Sequence, residues 1–114
     1  MPRIYHLADP DEWTGALSTG SYQRSTRGLM LADEGFIHCS DEHQWPQVRA
    51  AFYADVEGEL VLLEVDPELL EAPLVRELGD RATGEKFPHV YGPLNVSSVV
   101  RTRILHPPHD TPVS

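Results

Sequence analysis

Glu59-Leu60-Val61-Leu62-Leu63-Glu64-Val65-Asp66, entered through a Glu57-Gly58 turn, holds the most hydrophobic run of this 114-residue chain. Four successive apolar side chains leave neither face for water, so the run predicts a central strand covered on both sides. Working outward, Arg3 to Leu7 reads as a first short strand and Gly35 to Ser40 as a second. Pro73 to Leu78 reads as a weaker strand, and Val96 to Leu105, with three valines, as the last. Two helices lie between them. Asp9 caps the first, Pro10 occupies its first position, Glu12 completes a capping-box-like pair, and Gly20 stops it. Trp13, Ala16 and Leu17 form its expected buried stripe. The second carries Trp45, Val48 and Phe52 at helical spacing, with Pro46 confined to its first turn. Ser21 to Glu34 reads as a loop with a helical turn, and Gly79 to Glu85 as a polar loop. Together these make an α+β domain over residues 1–105. Residues 106–114, with three prolines and little apolar material, are expected to be a flexible tail whose removal leaves stability unchanged.

The composition narrows the function classes. Apolar residues at 40 % and charged residues at 24 % suit one packed core of this length. No stretch approaches the roughly 18 to 20 apolar residues that span a bilayer, and Met-Pro-Arg-Ile-Tyr-His lacks the pattern of a secretory leader, so a cytoplasmic, membrane-free protein is expected. One cysteine, Cys39, excludes an intramolecular disulfide and a multi-cysteine zinc site. A net charge of −9 repels a phosphate backbone, which argues against non-specific nucleic-acid binding. Eight of the nine basic residues are arginine, a count that a preference for arginine codons explains more simply than a need for guanidinium forks.

Three segments can carry chemistry. Alternation along Gly35 to Ser40 places Phe36, His38 and Ser40 on one face and turns Cys39 to the core, so a Cys39–His38 nucleophilic pair is disfavoured. Cys39 is expected to be a packing residue. His6 alternates with Ile4 and Ala8 in the first strand, where an apolar side chain would pack at lower cost. Phe87-Pro88-His89-Val90-Tyr91-Gly92-Pro93-Leu94-Asn95 has the composition of a rigid loop that presents polar tips, with His89, Tyr91 and Asn95 as binding groups. The three histidines are separated by 32 and 51 residues, a spacing that matches no local metal motif, and no metal site is assigned. They are nevertheless expected to converge on one cleft. No Walker loop, G-x-G-x-x-G or G-x-S-x-G occurs.

Ile4-Tyr5-His6-Leu7, Trp13, Gly35 to Ser40, Gln44, Phe52-Tyr53, Leu60 to Leu63, Glu77 and Phe87 to Leu94, in that order, resemble the nine-five-two family of bacterial domains of unknown function. That family is in turn distantly similar to the ADP-ribosyltransferase fold. The resemblance implies a small split or strongly bent mixed β-sheet with two to three helices, holding NAD between its halves. It places Tyr5 and His6 at the ribose, with Ser40 and Tyr53 forming a second wall. A late glutamate that such transferases use against an oxocarbenium-like transition state has no counterpart in Tyr91 to Asn95. Glu77 is the substitute if its strand borders the cleft, since an asparagine supplies no negative charge.

The resulting expectation is an enzyme acting on NAD or another ADP-ribose-containing nucleotide. In it His6, His38 and Glu77 are catalytic, and Tyr5, Ser40, Tyr53, His89, Tyr91 and Asn95 bind ligand. NAD enters as substrate, and no further cofactor is required. The alternatives are a non-catalytic nucleotide-binding module and an RNA 2′-phosphotransferase-like enzyme, the latter opposed by the net charge.

Overall fold

The computed structural model describes residues 2–27 and 29–110. In chain order the strands are β1 (Ile4–Ala8), β2 (Ser21–Tyr22), β3 (Arg24–Thr26), β4 (Leu29–Met30), β5 (Ile37–His38), β6 (Leu60–Val65), β7 (Leu74–Asp80), β8 (Glu85–Val90), β9 (Leu94–Asn95) and β10 (Val99–Leu105). Helices α1 (Pro10–Thr19), α2 (Leu31–Glu34) and α3 (Trp45–Phe52) lie between them, with short 3₁₀ turns at Pro67–Leu69 and Val96–Ser98. The protein is a small α+β fold.

The strand at Leu60–Val65 is central, paired antiparallel to β1 on one side and β10 on the other. It is covered on both faces. Val61, Leu63 and Val65 join Ile4, Ala8, Ala16, Tyr22, Ile37 and Cys39 in one cluster, while Leu60 and Leu62 join Tyr5, Leu7, Trp45 and Tyr53 in the other. Strand alternation sorts the side chains this way. Transfer from water favours each fully buried Leu or Val by about 1.5–3 kcal/mol, which makes β6 the element the rest must surround.

The start and stop of α1 follow from local chemistry. The Asp9 carboxylate accepts from the backbone N–H groups of Asp11 and Glu12 at 2.9 and 3.3 Å, and Gly20, at φ 85°, closes the helix by donating its N–H to the Ala16 carbonyl. A side chain at Gly20 would strain that left-handed backbone. Glu12 does not complete a capping box, because its carboxylate pairs with Arg24 of β3. Leu17 is 55 % exposed rather than part of the buried stripe, and Phe52 likewise turns outward from α3.

A second antiparallel sheet has the order β5-β8-β7. Here the structure corrects the rigid-loop reading of Phe87–Asn95, since Phe87 to Val90 belong to the middle strand of that sheet. The polar-loop reading of Gly79–Glu85 holds only between the ends of β7 and β8. Pro88 has no N–H to give a neighbour, but its carbonyl still accepts from Cys39 N–H at 3.0 Å. The two sheets meet at reciprocal bonds of 2.7 Å between the backbones of Tyr5 and Ser40. The strands therefore form several small sheets, and among the described residues every pairing is antiparallel, so the mixed sheet is corrected. Of these pairs only β3–β4 and β7–β8 are consecutive in the chain and joined by short turns, which antiparallel pairing accommodates.

The tail is also corrected where it is described. His109 is fully buried, accepts from Arg49 Nε at Nδ1 (3.0 Å) and donates from Nε2 to the Gly58 carbonyl (2.8 Å). A second Arg49 nitrogen donates to the His106 carbonyl at 2.8 Å. Ordering this segment is offset by satisfying a buried guanidinium, a role that composition does not reveal. Residues 111–114 of the expected tail lie outside the described residues.

Cys39 sits in the first core cluster, and burial pushes its thiol up to about 12, the behaviour of a packing residue. Cys39→Ala is expected to lower stability by about 1–2 kcal/mol in urea unfolding. A larger loss would mean that the thiol makes a specific bond as well as filling space.

Candidate functional site

Register brings the two histidines of the second sheet together. His38 on β5 lies directly opposite His89 on β8, so both rings project from one face, 5.1 Å apart and nearly perpendicular. Phe36 stacks on His89 at 4.2 Å and meets the edge of His38 at 4.7 Å. On β7, Val75 is the direct partner of His89, which leaves Glu77 diagonal to it on the same face. Glu77 Oε1 accepts from His89 Nδ1 at 2.8 Å and from the Tyr91 hydroxyl.

These bonds fix the chemistry of each group. The Tyr91 hydroxyl, then the His89 N–H, hold the Glu77 carboxyl below the usual carboxylate range, and the same bond raises Tyr91. With Nδ1–H given to Glu77, neutral His89 keeps Nε2 as an acceptor. That atom is buried and, among the described residues, has no partner. His38 uses Nε2 to meet Glu34 at 3.1 Å, four residues earlier. Each imidazole is thus oriented by a carboxylate.

A cavity of about 260 Å³ opens beside this pair, lined by Thr26, His38, Ser40, Phe52, Phe87 and His89 among others. It is mostly apolar, with a few polar groups converging, which is the usual make-up of a small-molecule site. Its size sits just below the range of about 300–1,000 Å³ for drug-sized ligands, so it accommodates one ring system and not a dinucleotide. Gly79 belongs to its wall because the Phe87 ring lies against the glycine backbone, where an added Cβ would come within 2.3 Å of the ring.

The remaining predicted residues are placed differently. His6 is buried behind the cavity, where Nδ1–H donates to the His38 carbonyl at 2.6 Å and Nε2 accepts from the Tyr22 hydroxyl at 3.0 Å. Burial pushes it down to about 4, so it is a neutral strut with both nitrogens engaged, and it does not enter the cavity. Convergence of the three histidines therefore holds for two rings, with the third reaching that pair through the His38 carbonyl alone. Tyr5 packs on the opposite face against Trp45 and Leu62. Asn95 braces a loop, accepting from Glu71 N–H and donating to the Leu69 carbonyl. Tyr53 lines a neighbouring cavity with Tyr22, Arg24 and Thr26. Sequence reasoning missed Tyr22, Arg24, Thr26 and Glu34. Only Glu34 left a signal, its helical spacing from His38. Among the described residues no three His, Cys, Asp or Glu side chains form a metal-holding group. Among them, too, no helix is long and apolar enough to cross a membrane.

The sequence pattern described as "Protein of unknown function (DUF952)" matches residues 7–102. Protein CC0527 from Caulobacter crescentus has a similar crystal structure, at 34 % identity and a TM-score of 0.76, over 90 % of this chain and 84 % of that one. Its solution NMR structure covers the same shares, at 34 % identity and a TM-score of 0.65. No curated protein matches.

Proposed function

The chain belongs to the DUF952 family, whose function is unknown, and from that premise we propose that it acts on NAD or another ADP-ribose-containing nucleotide in the cavity beside His38 and His89. The observation that carries this reading is the buried, unpartnered Nε2 of His89. A buried acceptor left without a donor costs about 1–3 kcal/mol, and a ligand hydroxyl or amide N–H would recover it. Apolar and aromatic walls favour a flat ring, and the nearby Glu34 and Glu77 carboxylates suit a cationic one such as nicotinamide while disfavouring a phosphate. The nicotinamide-ribose end of NAD meets both conditions. In this role His89 is the base toward the ligand, and Glu77 is its positioning residue, setting the tautomer as a carboxylate does for a catalytic histidine.

A non-catalytic binding module is the second reading. It is favoured by the engagement of Glu77, one of whose oxygens already accepts from both His89 and Tyr91. Thermal shift with NAD and ADP-ribose tests binding, and release of nicotinamide followed by NMR separates the two readings. His89→Ala is expected to weaken NAD binding by about 1–3 kcal/mol while melting cooperatively. Unchanged affinity in that variant would remove His89 from the site. Nucleotide binding without nicotinamide release would leave the module as the function.

A further inference from the structure

A second cavity, of about 170 Å³, adjoins the first, and Thr26 lines both. Tyr53 bonds the Thr26 side chain, so β3 and the end of α3 share the dividing wall, with Phe52 lining one cavity and Tyr53 the other. His6 ties them together behind that wall, bonded to the His38 carbonyl on one side and to the Tyr22 hydroxyl, in the second cavity, on the other.

The two arginines of the second cavity differ in how fully they are used. Arg27 meets both oxygens of Asp55, at 2.5 and 3.1 Å. Arg24 gives one terminal nitrogen to Glu12 at 2.5 Å, while its Nε is buried without a partner among the described residues. A guanidinium presents donors along two edges and holds phosphate oxygens through a pair of them. Here one terminal nitrogen is occupied and the Nε–H beside it is left over.

We infer that the second cavity is the subsite for the phosphate-bearing part of the nucleotide, with Arg24 as its donor. This rests on the nucleotide reading above, and it resolves a difficulty in that reading. The first cavity holds a single ring and is flanked by carboxylates, whereas the neighbour across Thr26 supplies the missing cation. Asp9 also lines the second cavity, but its carboxylate caps α1. Glu12 is the group that an incoming phosphate would displace from Arg24.

Calorimetric titration of the full chain with NAD and with nicotinamide riboside, which lacks the phosphates, tests the division. Arg24→Gln is expected to weaken NAD by about tenfold or more and to leave nicotinamide riboside within about twofold. Glu12→Gln, which frees the guanidinium, should tighten NAD. His89→Ala should weaken both ligands. If Arg24→Gln does not melt cooperatively, Arg24→Lys carries the comparison, since it keeps the charge beside Glu12 and removes the Nε donor. Unchanged NAD affinity in the arginine variant, with both ligands weakened by His89→Ala, would overturn the phosphate subsite and leave the nucleotide reading standing. Indifference of both ligands to His89→Ala, or no binding of either, would overturn the nucleotide reading and the subsite with it.

Discussion

Arg49→Ala is expected to lower stability by about 2–4 kcal/mol and the melting temperature by on the order of 10 °C. Arg49 is 5 % exposed, and its guanidinium supplies hydrogen bonds to His109 Nδ1 and to the His106 carbonyl, so the variant leaves both acceptors without a donor inside or beside the core. A chain ending at Leu105 should be destabilised for the complementary reason, because it strands a buried cation whose partners have gone. The two changes remove one interaction from opposite ends, so together they should cost less than the sum of each alone. Scanning calorimetry of the three chains against the parent decides the matter. A shortened chain that melts with the parent would show that residues 106–110 contribute nothing to stability.

The second large effect is a dependence of stability on pH. His6 is held down at about 4 by burial, against a value near 6.5 in an unfolded chain. Between those values the unfolded state takes up a proton that the folded state refuses. Stability then falls as pH falls from about 6.5 to about 4 and levels off below that. A separation of this size corresponds to about 3 kcal/mol. Carboxylates such as Glu77 and Asp55, held below their ordinary range by hydrogen bonds from Tyr91 and Arg27, stabilise the fold above their unfolded values and lose that contribution in the same direction on acidification. His6→Gln isolates the imidazole, since the amide can donate to the His38 carbonyl and accept from the Tyr22 hydroxyl without titrating. Urea midpoints at pH 7, 5.5 and 4.5 should diverge between parent and variant. Parallel curves would mean that His6 does not supply the slope.

What the sequence discloses here is mostly what is settled within a few residues. Asp9, Pro10 and Gly20 bracket α1 because a carboxylate, a fixed φ and a permissive glycine act on neighbouring backbone. Leu60–Leu63 reads as doubly covered because no alternation is present to suggest otherwise. The second sheet is where local reading gives out. Prolines and a glycine around His89 carry the composition of a loop, yet pairing with β5 and β7, elements distant in sequence, makes the segment a middle strand. Register then sets the site. Glu77 reaches His89 only because it lies two residues from His89's direct partner, and nothing in either segment alone announces that offset. His109 is a further case, since a proline-rich ending looks unable to pack until Arg49 is seen waiting beneath it.

The burial of Cys39 turns the chain into its own clock. The sulfur is the single thiol in 114 residues, and Cys39 is buried in the core beside the cavity, with its backbone tied to Pro88. Iodoacetamide reaches a thiol this buried when the structure around β5 and the cavity opens, so the labelling rate counts those openings. Because His38 and His89 sit on the same pair of strands, a ligand that clasps both should slow the count. Mass spectrometry of the intact chain would read occupancy of the cavity without any tag, probe or assay of turnover.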